Sequence, residues 1–316
     1  MKLEEVSRIS NAIVGEVAKV IVGKDHVLRK IMLGLLADGH LLIEDYPGLA
    51  KTLMAKTFAA SLRCKFSRVQ FTPDLLPADI TGTYIYNQKT AEFTLRRGPI
   101  FSNILLADEI NRSPPKTQAA LLEAMQERQV TLDGSTLPLD KPFIVVATEN
   151  PIEFEGVYSL PEAQLDRFIM KIRIGYPSSM EEKEILKRRM ARRSDDASVD
   201  SIADPNLLLD MQASLEDVHV DEDMLGYIVE VVNATRTQAQ IDVGSSPRGS
   251  LALLKLARAA AAFEARDYVI PDDAKDLAVS ALGHRIILKA ESWVKGVDST
   301  SVLESVLERV PVPKVK

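Results

Sequence analysis

One cysteine in 316 residues, Cys64, leaves no intrachain disulfide framework and fits a reducing compartment. Histidine is also sparse. His26, His40, His219 and His284 are scattered, with no His/Cys spacing that would build a zinc site. No apolar run approaches the roughly 18–20 residues needed to span a bilayer. The start, Met1-Lys2-Leu3-Glu4-Glu5, is acidic and amphipathic and has no basic leader pattern. A net charge of −6 gives no overall basic footprint for nucleic acid or an anionic membrane. Disorder is excluded by what is present, 46% hydrophobic against 27% charged residues, the balance of a globular chain. The expectation is a cytoplasmic protein of about two domains, with no direct membrane insertion.

Strand-length apolar runs occur at Leu41-Leu42-Ile43, Phe66 to Phe71, Ile104-Leu105-Leu106, Phe143 to Ala147 and Phe168 to Ile174. Near-continuous hydrophobicity suits parallel strands covered on both faces. Helical patterns lie between them, over Lys51 to Leu62 and Pro114 to Gln129, the second with Ser113 as its expected N-cap. The order predicts an α/β fold, a doubly wound parallel sheet with ligands at the carboxyl ends of its strands. Period-two alternation over 83–95, and an Asp-Gly turn within 129–137, read as β-hairpins inserted in that core. The strand pattern stops near 176–180, so residues 1–178 are expected to form the α/β core and 179–316 a helical domain, with a strong helix from Ser250 to Ala265. The basic run Lys187 to Arg193 reads as a solvated helix end, because Asp195 and Asp196 follow at once.

After the first strand, Glu44-Asp45-Tyr46-Pro47-Gly48-Leu49-Ala50-Lys51-Thr52-Leu53 has the strand–loop–helix context of a P-loop. Backbone N–H groups and a helix N-terminus would wrap a polyphosphate. Lys51 would neutralise its β- and γ-phosphates, and the Thr52 hydroxyl would hold Mg²⁺. The pattern departs from G-x-x-x-x-G-K-[ST] twice, with Asp45 and Ala50 at the glycine positions. Ala50 is tolerable there if its φ is negative, and Asp45 must point away from the phosphates. The third strand ends in Asp108-Glu109, two acids at a sheet edge that need a cation or a catalytic task. The assignment that fits is Asp108 in the Mg²⁺ shell and Glu109 polarising the attacking water.

These motifs, with Val69 to Gly82 (VQFTPDLLPADITG), Asp108 to Lys116, Ala147-Thr148-Glu149-Asn150-Pro151, Leu160 to Phe168 and Ser246-Pro247-Arg248, resemble the MoxR family of AAA+ ATPases over about residues 20–290. The resemblance implies a five-stranded P-loop sheet with an all-helical lid, and ATP and Mg²⁺ as cofactors. It implies that Asn150 is sensor 1, that Arg248 is sensor 2 acting on the γ-phosphate of its own subunit, and that Arg167 is an arginine finger given to the neighbour, with Arg112 a second trans candidate. Val22 and Gly23, ahead of the first αβ unit, would meet the adenine or form a helix-terminating turn. A trans arginine implies a homo-oligomer, in AAA+ relatives most often a hexameric ring. Family members commonly serve as chaperone-like partners of proteins carrying von Willebrand factor A domains, in maturation or metal-cofactor insertion.

Three other functions stay open on the sequence. A nucleic-acid motor would use the first hairpin, with Tyr84, Tyr86, Lys89, Phe93, Arg96 and Arg97, although the −6 charge counts against it. A scaffold assembled by ATP without hydrolysis would not need Glu109, Asn150 or Arg248. A chelatase-type subunit would differ chiefly in its partner.

Overall fold

In the computed structural model, which describes residues 1–89, 91–151 and 158–313, all five apolar runs are strands of one parallel sheet. Numbered with the hairpins in chain order, they are β1 (His40–Glu44), β2 (Phe66–Gln70), β3 (Gly82–Asn87), β4 (Glu92–Arg97), β5 (Ile104–Asp108), β6 (Gln129–Leu132), β7 (Ser135–Pro138), β8 (Ile144–Glu149) and β9 (Phe168–Ile172). The sheet order is β2-β5-β8-β1-β9. The antiparallel pairs β3–β4 and β6–β7 are the two expected hairpins; Thr90, in the first turn, lies outside the described residues.

Alternate side chains of each strand enter opposite faces. Leu41, Ile43, Ile104, Leu106, Ile144 and Val146 pack with Met54 and Phe58 of helix Lys51–Ser61. Leu42, Leu105, Ala107, Val145 and Phe168 pack with Leu121, Leu122 and Met125 of helix Pro115–Glu127 on the other side. Ser113 does not cap that helix. Its hydroxyl donates to the Ile110 carbonyl, and Pro114 occupies the cap position with no side-chain cap bond. A Gln118 amide that donates to the Ile110, Ser113 and Tyr158 carbonyls secures the entry to the helix.

Beyond β9 the chain is helical: Ser179–Arg192, Pro205–Ser214, Glu222–Thr237, Pro247–Phe263, Pro271–Leu282 and Ser299–Arg309. Ser178, Asp204, Asp221, Ser246 and Asp298 cap five of these helices through their side chains, and proline opens three. A short antiparallel pair, β10 (Ile241–Val243) with β11 (Ile287–Leu288), adds to the expected helices. Helix Leu3–Ala18 belongs to the same apolar cluster as helix Pro247–Phe263, and the Ser7 hydroxyl donates to the Phe263 carbonyl. In the basic run, Arg188 donates to the Ala18 and Lys19 carbonyls and Arg189 pairs with Asp195. Among the described residues no helix is long and apolar enough to cross a membrane.

Candidate nucleotide site at the strand tips

The carboxyl ends of β1, β8 and β5 lie side by side and present Glu44, Glu149–Asn150 and Asp108–Glu109. β8 separates the strand that leads into Lys51 from the strand that ends in Asp108, so the two motifs do not sit on neighbouring strands. Two interstrand steps of about 4.8 Å put the axes of β1 and β5 roughly 10 Å apart, with buried Asn150 following β8 between them. Lys51 opens its helix and donates from Nζ to the backbone carbonyls of Asp45 and Glu149 (3.3 Å for the second). Burial lowers the Lys51 pKa, and the carboxylates of Asp45, Asp108, Glu109 and Glu44 oppose that shift. Its ammonium is therefore held on carbonyl oxygens within the electrostatic reach of both strand-end acids.

Both departures from the glycine pattern have structural explanations. Asp45 turns away from the loop: Oδ2 accepts from the N–H groups of Ile174 and Gly175, both at 2.6 Å, and Oδ1 accepts from Tyr46 N. It ties the start of the loop to the end of β9. Ala50 departs from expectation, with φ of +58°, in the left-handed region. The loop takes the conformation a glycine would take, at a cost of about 1–2 kcal/mol for a Cβ-bearing residue. Gly48, with φ of +82°, supplies the preceding turn. Tyr46 stacks on Tyr176 at 5.4 Å between ring centroids, while Tyr46 and Pro47 stay exposed.

Val22, Gly48, Leu49, Ala50 and Leu53 line an apolar cleft with Ile174, Pro177 and Ile185, which suits the flat face of a base. Gly23 is not in the lining. Its φ is +69°, and a Cβ there would lie 1.9 Å from the Glu181 carboxylate, so this glycine admits the capping residue of helix Ser179–Arg192. The first helix ends at Ala18 with Lys19 as its C-cap, so Gly23 bends the chain between two helices and does not terminate the first.

Around the acids, Thr148 Oγ1 donates to Asp108 Oδ1 (2.6 Å) and accepts from Glu109 N (2.8 Å). Arg68 on β2 donates to Asp108 Oδ2 from Nε (3.1 Å) and Nη2 (2.7 Å). Glu109 Oε2 accepts from Gln70 Nε2 (2.7 Å) and Arg112 Nη1 (3.0 Å). Arg112, the second trans candidate, thus pairs with Glu109 of its own chain. Arg68 and Gln70 belong to no phosphate- or metal-binding motif in the sequence. Their signal was two polar residues spaced i, i+2 on the strand that ends beside the acidic pair. Glu149 faces a separate cavity lined by Lys171, Arg173 and lid residues, and burial, then Glu44, pushes its carboxyl up to about 7.

Arg167 and Arg248 lie at the other end of the sheet. They line one cavity with Asp38, Gly39, His40 and Arg285, at the amino end of β1. β1 spans about 13 Å between His40 and Glu44, longer than an arginine side chain. The expectation that Arg248 serves its own P-loop is therefore corrected: it points with Arg167 away from the nucleotide cleft of its chain. Arg167 donates to the Leu122 carbonyl, and its Nε is buried without a partner among the described residues. Asp166 pairs with Arg285, not with Arg167.

Comparison with known proteins agrees with the fold. Residues 40–170 match the family described as ATPase family associated with various cellular activities (AAA), and residues 233–306 match the AAA lid domain. The chain is 45% identical to Chaperone MoxR1 of Mycobacterium tuberculosis, over 98% of this chain and 84% of that protein. It is 46% identical to YeaC, an uncharacterized protein of Bacillus subtilis, over 98% and 97% of the two chains. Protein MoxR of Methylorubrum extorquens is 26% identical over 94% and 93%. A crystal structure from Cytophaga hutchinsonii superposes with a TM-score of 0.92 at 43% identity, covering 99% of this chain and 97% of that one. Strand order, P-loop, paired acids and lid converge with these likenesses on one assignment: the chain belongs to the MoxR family of AAA+ ATPases.

Proposed function

We propose that this chain binds Mg·ATP between Lys51 and Asp108, hydrolyses it in a homo-oligomeric ring, hexameric as in most AAA+ relatives, and uses the cycle to remodel a protein client in the cytoplasm. The observation that carries the reading is that Lys51 Nζ sits on the Asp45 and Glu149 carbonyls, at the tips of β1 and β8, with the Asp108–Glu109 tip of β5 next to β8. In this reading residues 1–178 hold the nucleotide and 179–316 act as the lid.

Lys51 and the N–H groups at the start of its helix bind the β- and γ-phosphates, and the cleft at Val22, Leu49 and Ile185 takes the base. Thr52 and Asp108 would hold Mg²⁺, whose charge would offset that of the bound phosphates. Glu109 accepts a proton from the water whose oxygen bonds to the γ-phosphorus, while Asn150 orients that water and ADP departs. Arg167 and Arg248 cannot complete this site in their own chain, so the neighbouring subunit supplies both to the spreading charge. One relative carries the name of a chaperone, which supports a protein client; the client class proposed, from the family resemblance, is a protein with a von Willebrand factor A domain. Steady-state phosphate release at ring-forming concentration tests the reading. Turnover that rises with protein concentration supports it, and nucleotide binding without turnover favours a scaffold.

A further inference from the structure

The Asp108 carboxylate already has a cation. Arg68 lies on β2, at the edge of the sheet, paired in register with Leu106, and Gln70 is paired with Asp108. Residues i and i+2 share a face, so both β2 side chains reach the acids along the same side of the sheet. Thr148 holds Asp108 Oδ1, and the Arg68 guanidinium spends two donors on Oδ2. The same Nη2 reaches Gln70 Oε1 at 2.7 Å, and Gln70 passes the contact on to Glu109. The Asp108 side chain is 13% exposed and that of Arg68 is 48%, so the acid is fixed while the arginine has solvent to swing into.

We propose that Arg68 is a built-in counter-cation that competes with Mg²⁺ for Asp108 and sets the Mg²⁺ concentration at which the site loads. This rests on the Mg·ATP reading above. A guanidinium on Oδ2 repels a divalent ion arriving at the same carboxylate, so loading requires Arg68 to withdraw. Its departure breaks the bond to Gln70 and frees Gln70 to adjust its hold on Glu109. The arginine therefore keeps Asp108 neutralised until the metal enters, while Arg112 continues to hold Glu109.

The test is a Mg²⁺ titration of fluorescent ATP-analogue binding to the full chain, comparing wild type, Arg68→Gln and Arg68→Lys, with thermal unfolding run in parallel. Arg68→Gln should lower the half-effective Mg²⁺ concentration about fivefold, the fold-change that one half-exposed ion pair supplies. Arg68→Lys, which keeps the charge, should stay within about twofold of wild type. In EDTA the Gln variant should unfold at a lower temperature than wild type, and saturating Mg·ATP should close that gap. An unchanged or raised Mg²⁺ requirement in Arg68→Gln overturns the proposal, whatever its unfolding temperature. If wild type binds no analogue at any Mg²⁺ concentration, the failure lies in the nucleotide reading itself.

Discussion

Asp166 accepts a hydrogen bond from the Ser246 hydroxyl at 3.0 Å, and through this contact the segment that carries Arg167 fixes the helix start that carries Arg248. Ser246 is also the N-cap of helix Pro247–Phe263, with its oxygen accepting from Arg248 N. On the other side, Arg285 donates from Nε to Asp166 Oδ1 at 2.7 Å and from Nη2 to the Phe168 carbonyl at 2.6 Å. One carboxylate therefore joins the sheet to the lid and sets both arginines in one cavity.

The Arg285 side chain is only 3% exposed, so losing its partner leaves a buried charge uncompensated. Asp166→Asn is expected to cost about 3 kcal/mol in urea unfolding. The double variant with Arg285→Met should recover most of that loss. A cost below about 0.5 kcal/mol for Asp166→Asn would show that the latch contributes little.

With both arginines remote from their own P-loop, complementation between subunits follows. Arg167→Ala should lower turnover by about 10³-fold while nucleotide binding persists. Mixed one to one with Lys51→Ala, itself inactive, it should regain about a quarter of wild-type turnover, because random head-to-tail assembly leaves that share of sites intact. Arg248→Ala should behave the same way. Mixtures no more active than either variant would return these residues to a cis or structural role.

Glu109→Gln keeps the hydrogen bond from Gln70 and removes the proton acceptor. Phosphate release should fall by about 10²-fold or more, with ATP retained in the assembled ring. Wild-type rates of release in this variant would dismiss Glu109 as the water-polarising group.

Glu149 gives a pH signature. Its carboxyl sits near 7 in the folded chain against an ordinary 4.5, so between these values the folded state binds the extra proton and stability declines as pH rises. Glu149→Gln should gain about 2–3 kcal/mol at pH 8, relative to its effect at pH 4.5, by denaturant unfolding. A difference between variant and wild type that does not change with pH would contradict the raised pKa.

The elements that run through a buried sheet were the most legible in the sequence. β1, β5 and β8 are nearly all apolar because both faces are covered, and the acids at their ends stand out against that background. Lys51, Thr52 and Asp108 therefore stand out as candidates from local pattern alone. Strand order was not. Hydrophobicity reports burial and not neighbours, so β8 between β1 and β5 had to come from the fold. The same limit hid Arg68, whose meaning depends on which strand lies beside Asp108, and Arg285, which lies 119 residues from its partner. The cis placement of Arg248 failed for a related reason: a motif fixes a helix start but not which end of the sheet it docks on. Ala50 is a backbone case, since nothing in its side chain announces a left-handed φ.

The central claim is that Lys51 grips the phosphates of a nucleotide whose metal is held at Asp108. Calorimetric titration of Mg·ATP into the full chain and into Lys51→Ala tests it directly. Saturable binding to wild type, at least about tenfold weaker in the variant, is the predicted result. Equal affinity in the two, or no heat from wild type at any concentration tried, would contradict it.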